Sequence, residues 1–237
     1  VISQPDLRDW RSLPPTNSDY RTSLDPDMKG KKIALCPDLG LDIKINSEIA
    51  DSLAAVGNCF ESLGATVDTP KLEWPADPRE VIVIYFASGA ALMASMLTSA
   101  QRDLLEPTLI DMVEHGEKLS MLSVKAAETD RVANGIYMNK FFETYDFLIC
   151  PTLPIVAFEA GQPNPPEFEG DTIGWTPLTG PFNLTGQPAA SIPCGFDKSG
   201  LPIGLQIIGP MYDDAGVLSC SLAFENACTF LDRKPPL

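Results

Sequence analysis

Apolar residues recur along this chain with two different periods, and each predicts an element. Lys32-Ile33-Ala34-Leu35-Cys36 is a short apolar run after a Gly and a basic pair, which reads as a strand turned by Pro37-Asp38-Leu39-Gly40. Ile49, Leu53, Val56, Phe60 and Leu63 then alternate steps of four and three, the spacing of one helix face. Asn46 or Ser47 can cap that helix, and Gly64 suits its left-handed exit. Ala65-Thr66-Val67 is the next strand, so the order predicts a strand-helix-strand crossover with the sheet beneath the helix.

Further along, Val81 to Phe86 has β-like composition, but the Ala, Leu and Met that follow favour a helix over about 79–99. Pro107 opens a helix to about Leu119. Ser123 is read as the cap of a long helix striped by Ala127, Arg131, Asn134, Met138 and Phe141, with Val124 and Tyr145 extending the stripe. Phe147 to Cys150 is a compact strand stopped by Pro151, and residues 154–174 read as loop. Ser191 to Phe196 and Leu201 to Ile208 flank Asp197-Lys198-Ser199-Gly200 and predict a buried hairpin, with Ile192, Cys194 and Phe196 alternating on one side. Phe182 to Ser191, ahead of that hairpin, is expected to be a loop. Asp213 or Asp214 caps a last helix to about Cys228, with Val217, Ser221, Phe224 and Cys228 on one face.

Composition narrows the partners. The 237 residues are 44% hydrophobic, enough for a large core, and the net charge of −15 argues against nucleic acid or an anionic membrane. Cys36, Cys59, Cys150, Cys194, Cys220 and Cys228 form no CxxC and no His-Cys cluster, so they read as buried thiols in a reducing, cytoplasmic setting. No apolar run has membrane length, and Val1 to Asp6 lacks the basic start and apolar core of a signal peptide. The first thirty residues, punctuated by Pro5, Pro14, Pro15 and Pro26, have no periodicity; a domain can begin so, and so can a piece of a longer chain.

Self-contained chemistry is harder to find. His115 is the single histidine and sits in a helix, so a Ser-His or Cys-His mechanism lacks support and zinc is nearly excluded. No GxxxxGK[ST] or GxGxxG occurs, and no cofactor is expected. Most of the lysines fall in turns or on helix exteriors, and no serine lies in the Gly-Ser-rich nucleophile loop that a Ser-Lys mechanism would need.

The run from Tyr145 to Pro154, then GPFNLTGQPAASIPCGFDKSGLPIGLQIIGP and DDAGVLSCSLAFENA, resembles the carboxyl-terminal half of the amidase signature family. Pro181 to Ser191 is the most specific part of that match. The resemblance implies an α/β fold, the C-terminal part of the amidase signature fold: a mixed β-sheet flanked by helices. It implies one incomplete amidase-like domain over 1–237, with 1–30 an extended entry segment and 154–174 a loop-rich insertion. It implies hydrolysis of a carboxylic amide to acid and amine or ammonia. The family's lysine, bridging serine and nucleophilic serine lie upstream of the matched part, so no catalytic residue is carried over and the chain alone is expected to be inactive. Pro151, Thr152, Leu153, Pro154, Trp175, Thr176 and Thr179 are the implied substrate-pocket residues, the alternative being that they only order the loops. The glutamine-handling subunit of the transamidation complex resembles this scaffold too, but its pattern has an acidic residue about where Thr176 stands. A non-catalytic interaction protein derived from the fold is the other alternative. The implied partners are a small-molecule amide, the missing catalytic part of the same enzyme and, through an exposed sheet edge, a second copy.

Overall fold

In the computed structural model, which describes residues 5–15, 19–162, 164–168 and 174–227, the apolar run after Lys31 forms the first strand, β1 (Lys32–Leu35). Helix α1 (Ser47–Ser62) follows, and Asn46 caps it by accepting a 2.8 Å hydrogen bond from the Glu48 amide. Gly64, at φ 91°, turns the chain into β2 (Thr66–Asp68), which pairs parallel to β1 with Lys32 opposite Thr66. The expected crossover unit is therefore present.

Helix α2 (Pro78–Ser95) starts at a side-chain cap from Asp77, with Pro78 in its first turn. Those start signals, together with the Ala-rich continuation, override the β-like composition of Val81 to Phe86. The helix stops at Ser95, and a separate turn, α3 (Ser99–Arg102), follows under a Thr98–Gln101 capping box. Ala90 and Ala94 of α2 pack against Val113 of α4 (Pro107–Glu117). The approach is close: a Cβ on Gly116 would lie 2.0 Å from the Ala87 carbonyl oxygen. Helix α5 (Met121–Phe141) buries Ala127, Asn134 and Met138, members of the expected stripe. Its cap is Ser120 and not Ser123. The two serines are three residues apart, and the Ser120 hydroxyl accepts from the Ser123 amide at 3.0 Å, which starts the helix earlier and leaves Met121 and Leu122 exposed.

Strand β3 (Phe147–Pro151) is buried throughout. After a 3₁₀ turn at Pro166–Phe168 come α6 (Gly180–Thr185), β4 (Ala189–Phe196), β5 (Pro202–Ile208) and α7 (Asp214–Ala227). The five strands form one mixed sheet in the order β2-β1-β3-β5-β4. β3 runs parallel to β1 and antiparallel to β5, with Leu148 opposite Ile208. One face carries Ile33, Leu35, Ile149, Leu205 and Ile207 against α1 and α7, where Phe60 stacks on Phe224 at 5.5 Å. The other carries Ala34, Cys36, Leu148, Cys150 and Ile208 against Met138 of α5 and Phe182 of α6.

Several expectations need correction here. The stretch 182–191 is not all loop, because α6 occupies 180–185. Pro181 in its first turn and Gly186 at φ 83° mark its ends, but six residues are too few to show a stripe. The hairpin starts at Ala189, and its alternation breaks at a register shift between Pro193 and Gly195. β5 is buried from Leu205 to Ile208, whereas β4 is an edge strand with Ala189, Ser191 and Pro193 exposed and Cys194 buried, which suits a strand holding a proline. Asp213 caps α7, its carboxylate accepting from the Gly216 amide at 2.9 Å. Cys228 lies outside the described residues. Among those residues no helix is long and apolar enough to cross a membrane.

Candidate functional site

Of the implied pocket residues, Thr152 and Leu153 line one cavity, Thr176 and Thr179 line another, and Pro151, Pro154 and Trp175 line neither. Pro151 is buried at the end of β3, and the Pro154 carbonyl accepts from the Asn46 amide at 2.9 Å, tying the loop to the start of α1. Between them Thr152 and Leu153 line a cavity of about 360 Å³ with Ile49, Val156, Ser191 and Ile203. The Thr152 and Ser191 hydroxyls lie 2.7 Å apart, and Gly204 has no side chain because a Cβ there would sit 2.7 Å from Thr152 Oγ1. The described hydrogen bonds give this hydroxyl pair no histidine, lysine or carboxylate to act as base.

Thr176 and Thr179 line the other cavity, of about 480 Å³. Its walls are one side of α2 (Arg79, Ile82, Val83, Phe86), the irregular stretch Asp42 to Lys44, Phe168, and the start of α6 (Gly180, Pro181, Asn183). Val83 and Phe86 are 36% and 49% exposed, so these large side chains face the cavity and not the core. The Thr179 hydroxyl donates to the Thr176 carbonyl at 3.3 Å, which orders the lip between them. Trp175 is turned away from both cavities onto Phe158, edge to face at 5.5 Å.

Charge in the larger cavity is mixed. Arg79 is already engaged: its Nη2 donates to Asp77 at 2.6 Å and its Nε at 3.0 Å. That side-chain contact holds the Asp77 carboxyl below its usual range against the opposing effect of burial. Asp42 and Lys44 carry opposite signs at the rim. His115 is in the last turn of α4, away from either cavity.

Three of the thiols are held in the poorly nucleophilic protonated form. Burial pushes the Cys150 and Cys220 thiols up to about 12, and raises Cys36 as well, so all three stay protonated. Cys194 is buried too, and Cys59 is half-buried. No cluster of metal-ligating side chains occurs among the described residues. The α2 wall is not legible in the sequence, because a helix apolar on most sides shows no preferred face there. The apolar run Val81 to Phe86 is its only signal.

A three-layer α/β scaffold with an apolar, hydroxyl-lined cavity between two of its helices is compatible with many small-molecule enzymes. Sequence comparison narrows this: the family described as Amidase matches residues 1–218, and the chain belongs to it. It is 30% identical to an acylamidase of Rhodococcus erythropolis over 99% of its length and 50% of that protein's. It is 28% identical to a glutamyl-tRNA(Gln) amidotransferase subunit of Halothermothrix orenii over 100% of its length and 54% of that protein's. The chain thus spans about half the length of the curated relatives it matches. Among solved structures, a bacterial aryl acylamidase of the amidase signature family superposes with a TM-score of 0.80 at 26% identity, covering 94% of this chain and 49% of that one. A 6-aminohexanoate cyclic dimer hydrolase gives 0.81 at 20% identity over 98% and 52%, which shows the shared fold.

Proposed function

We propose that this chain is the substrate-holding portion of an amidase that hydrolyses a carboxylic amide C–N bond to an acid and an amine or ammonia. The carrying observation is the cavity of about 480 Å³ in which Ile82, Val83, Phe86 and Phe168 lie beside Thr176 and Thr179. Its apolar wall suits an alkyl or aryl group on the amide, and its hydroxyl-bearing lip suits the polar end. The nucleophile, its base and the donors to the tetrahedral oxyanion belong, on this reading, to a part of the enzyme outside these 237 residues.

Likeness to a glutamyl-tRNA(Gln) amidotransferase favours a second reading, hydrolysis of glutamine. A free amino acid brings both an ammonium and a carboxylate, each needing an opposed charge once desolvated. Thr176 offers no charge and Arg79 is held by Asp77, which leaves Asp42 and Lys44 as the charged side chains on the lining. The apolar side chains of Ile82, Val83, Phe86 and Phe168, more numerous on the lining than those charges, support the apolar amide.

The test is to fill the cavity. In the full-length protein, Phe86→Trp is expected to raise KM for an amide with a bulky apolar substituent by about tenfold while leaving a small amide such as acetamide within about twofold, because pocket volume discriminates at about 1–3 kcal/mol per methylene-sized change. Equal effects on both amides, or none on either, would remove the cavity from the reaction.

A further inference from the structure

The wall formed by α6 has only six residues, and a helix that short does not hold its shape in water by its own hydrogen bonds. Something outside it must set its position. Its N-terminal approach is held from the sheet. Gln206, in β5 and 5% exposed, donates from Nε2 to the carbonyl of Leu178 at 2.9 Å, and the same nitrogen lies 3.2 Å from Cys150 Sγ. Its C-terminal end is held from α5. Arg131 Nε donates to the carbonyl of Leu184 at 2.6 Å, one of the last-turn carbonyls that a helix leaves without an internal partner. The Arg131 guanidinium is also fixed over the Tyr85 ring of α2, 5.5 Å from its centroid. Between these two anchors stand Thr179, Gly180, Pro181 and Asn183, all on the cavity.

We propose that Gln206 and Arg131 are positioning residues that clamp the two ends of the 178–184 segment and so set the width of the substrate cavity. The inference rests on the cavity being the amide site. Neither side chain lines the cavity itself, so each acts through the backbone carbonyl it holds. The two anchors come from opposite sides, one from the sheet and one from α5. Loss of either frees one end of the wall while the other stays attached.

Arg131→Met keeps the length and the apolar stem but removes the donor; Arg131→Lys restores a donor without the planar group stacked on Tyr85. Gln206→Met is the matching change at the other end. In the full-length protein, hydrogen exchange is expected to quicken about tenfold or more in the 178–187 peptide of the Met variants and to stay unchanged in β3 and α1. KM for an apolar amide is expected to rise about fivefold or more with kcat within about twofold, and Arg131→Lys to recover part of that loss. Unchanged exchange at 178–187 overturns the clamp. Faster exchange everywhere, or a local change without a KM effect, reduces both residues to general stability and overturns the positioning role. Should Gln206→Met not fold, the Arg131 pair decides the question alone. If the unsubstituted protein hydrolyses no amide, the amidase reading falls, and the exchange data still judge whether the segment is clamped.

Discussion

Phe60→Ala is expected to destabilise the full-length protein by about 3–5 kcal/mol, the range for emptying a large aromatic site that cannot collapse. Phe60 is fully buried in α1 and stacks on Phe224 of α7, so it joins the two helices beneath one face of the sheet. Its neighbours Ile33, Phe147 and Leu205 belong to rigid strands and have little freedom to move into the space. Urea unfolding should show a lower midpoint with an unchanged slope. A loss under about 1 kcal/mol would mean that α1 and α7 close the gap, contrary to the close packing of this layer.

Gly40→Ala is the second large effect, and Gly30→Ala is its control. Both glycines have positive φ, 71° and 76°, so alanine incurs the left-handed penalty of about 1–2 kcal/mol at either site. Only at Gly40 is there also a collision: a Cβ would lie 2.2 Å from the Leu72 carbonyl oxygen, whereas at Gly30 nothing lies within 4 Å. Leu72 is buried and its oxygen is backbone, so it cannot swing aside as a side chain could. Gly40→Ala should therefore cost about 3 kcal/mol or more, against about 1 kcal/mol for Gly30→Ala. The turn at Gly40 leads directly into Asp42 to Lys44 on the cavity rim, so the Gly40 variant should lose affinity for substrate as well as stability. Equal losses at the two glycines, measured by the same unfolding curves, would show that the collision is relieved.

Much of the scaffold could be read from pattern alone, because its elements announce themselves twice. The α1 face Ile49-Leu53-Val56-Phe60 is bounded by a side-chain cap at Asn46 and a left-handed Gly64, so periodicity and end signals agree. β1 and β3 are short apolar runs bounded by turns, β2 follows the left-handed Gly64, and the resemblance supplied the mixed sheet. What escaped was of another kind. α6 is shorter than two turns, and its end signals, Pro181 and Gly186, lie in a stretch rich in glycine and proline, where they also read as loop. The break at Pro193 to Gly195 depends on how β4 registers with β5, which no single strand encodes. At the site, the resemblance pointed to Thr176 and Thr179, but their cavity partners on α2 are set by which side of an almost wholly apolar helix is left uncovered. Arg131 and Gln206 carried no signal of their role, since each acts on a backbone carbonyl far away in the chain, at Leu184 and Leu178.

The most direct measurement is the initial rate of hydrolysis, by the full-length protein, of an anilide bearing an apolar acyl group and of glutamine. The expected result is a kcat/KM for the anilide greater by about tenfold or more, since the wall of Ile82, Val83, Phe86 and Phe168 rewards an apolar group while Arg79, held by Asp77, is not free to offset the desolvation of the glutamine carboxylate. A preference for glutamine, or no release of amine or ammonia from any amide, would contradict the assignment of this chain to the substrate-holding part of an apolar-amide hydrolase.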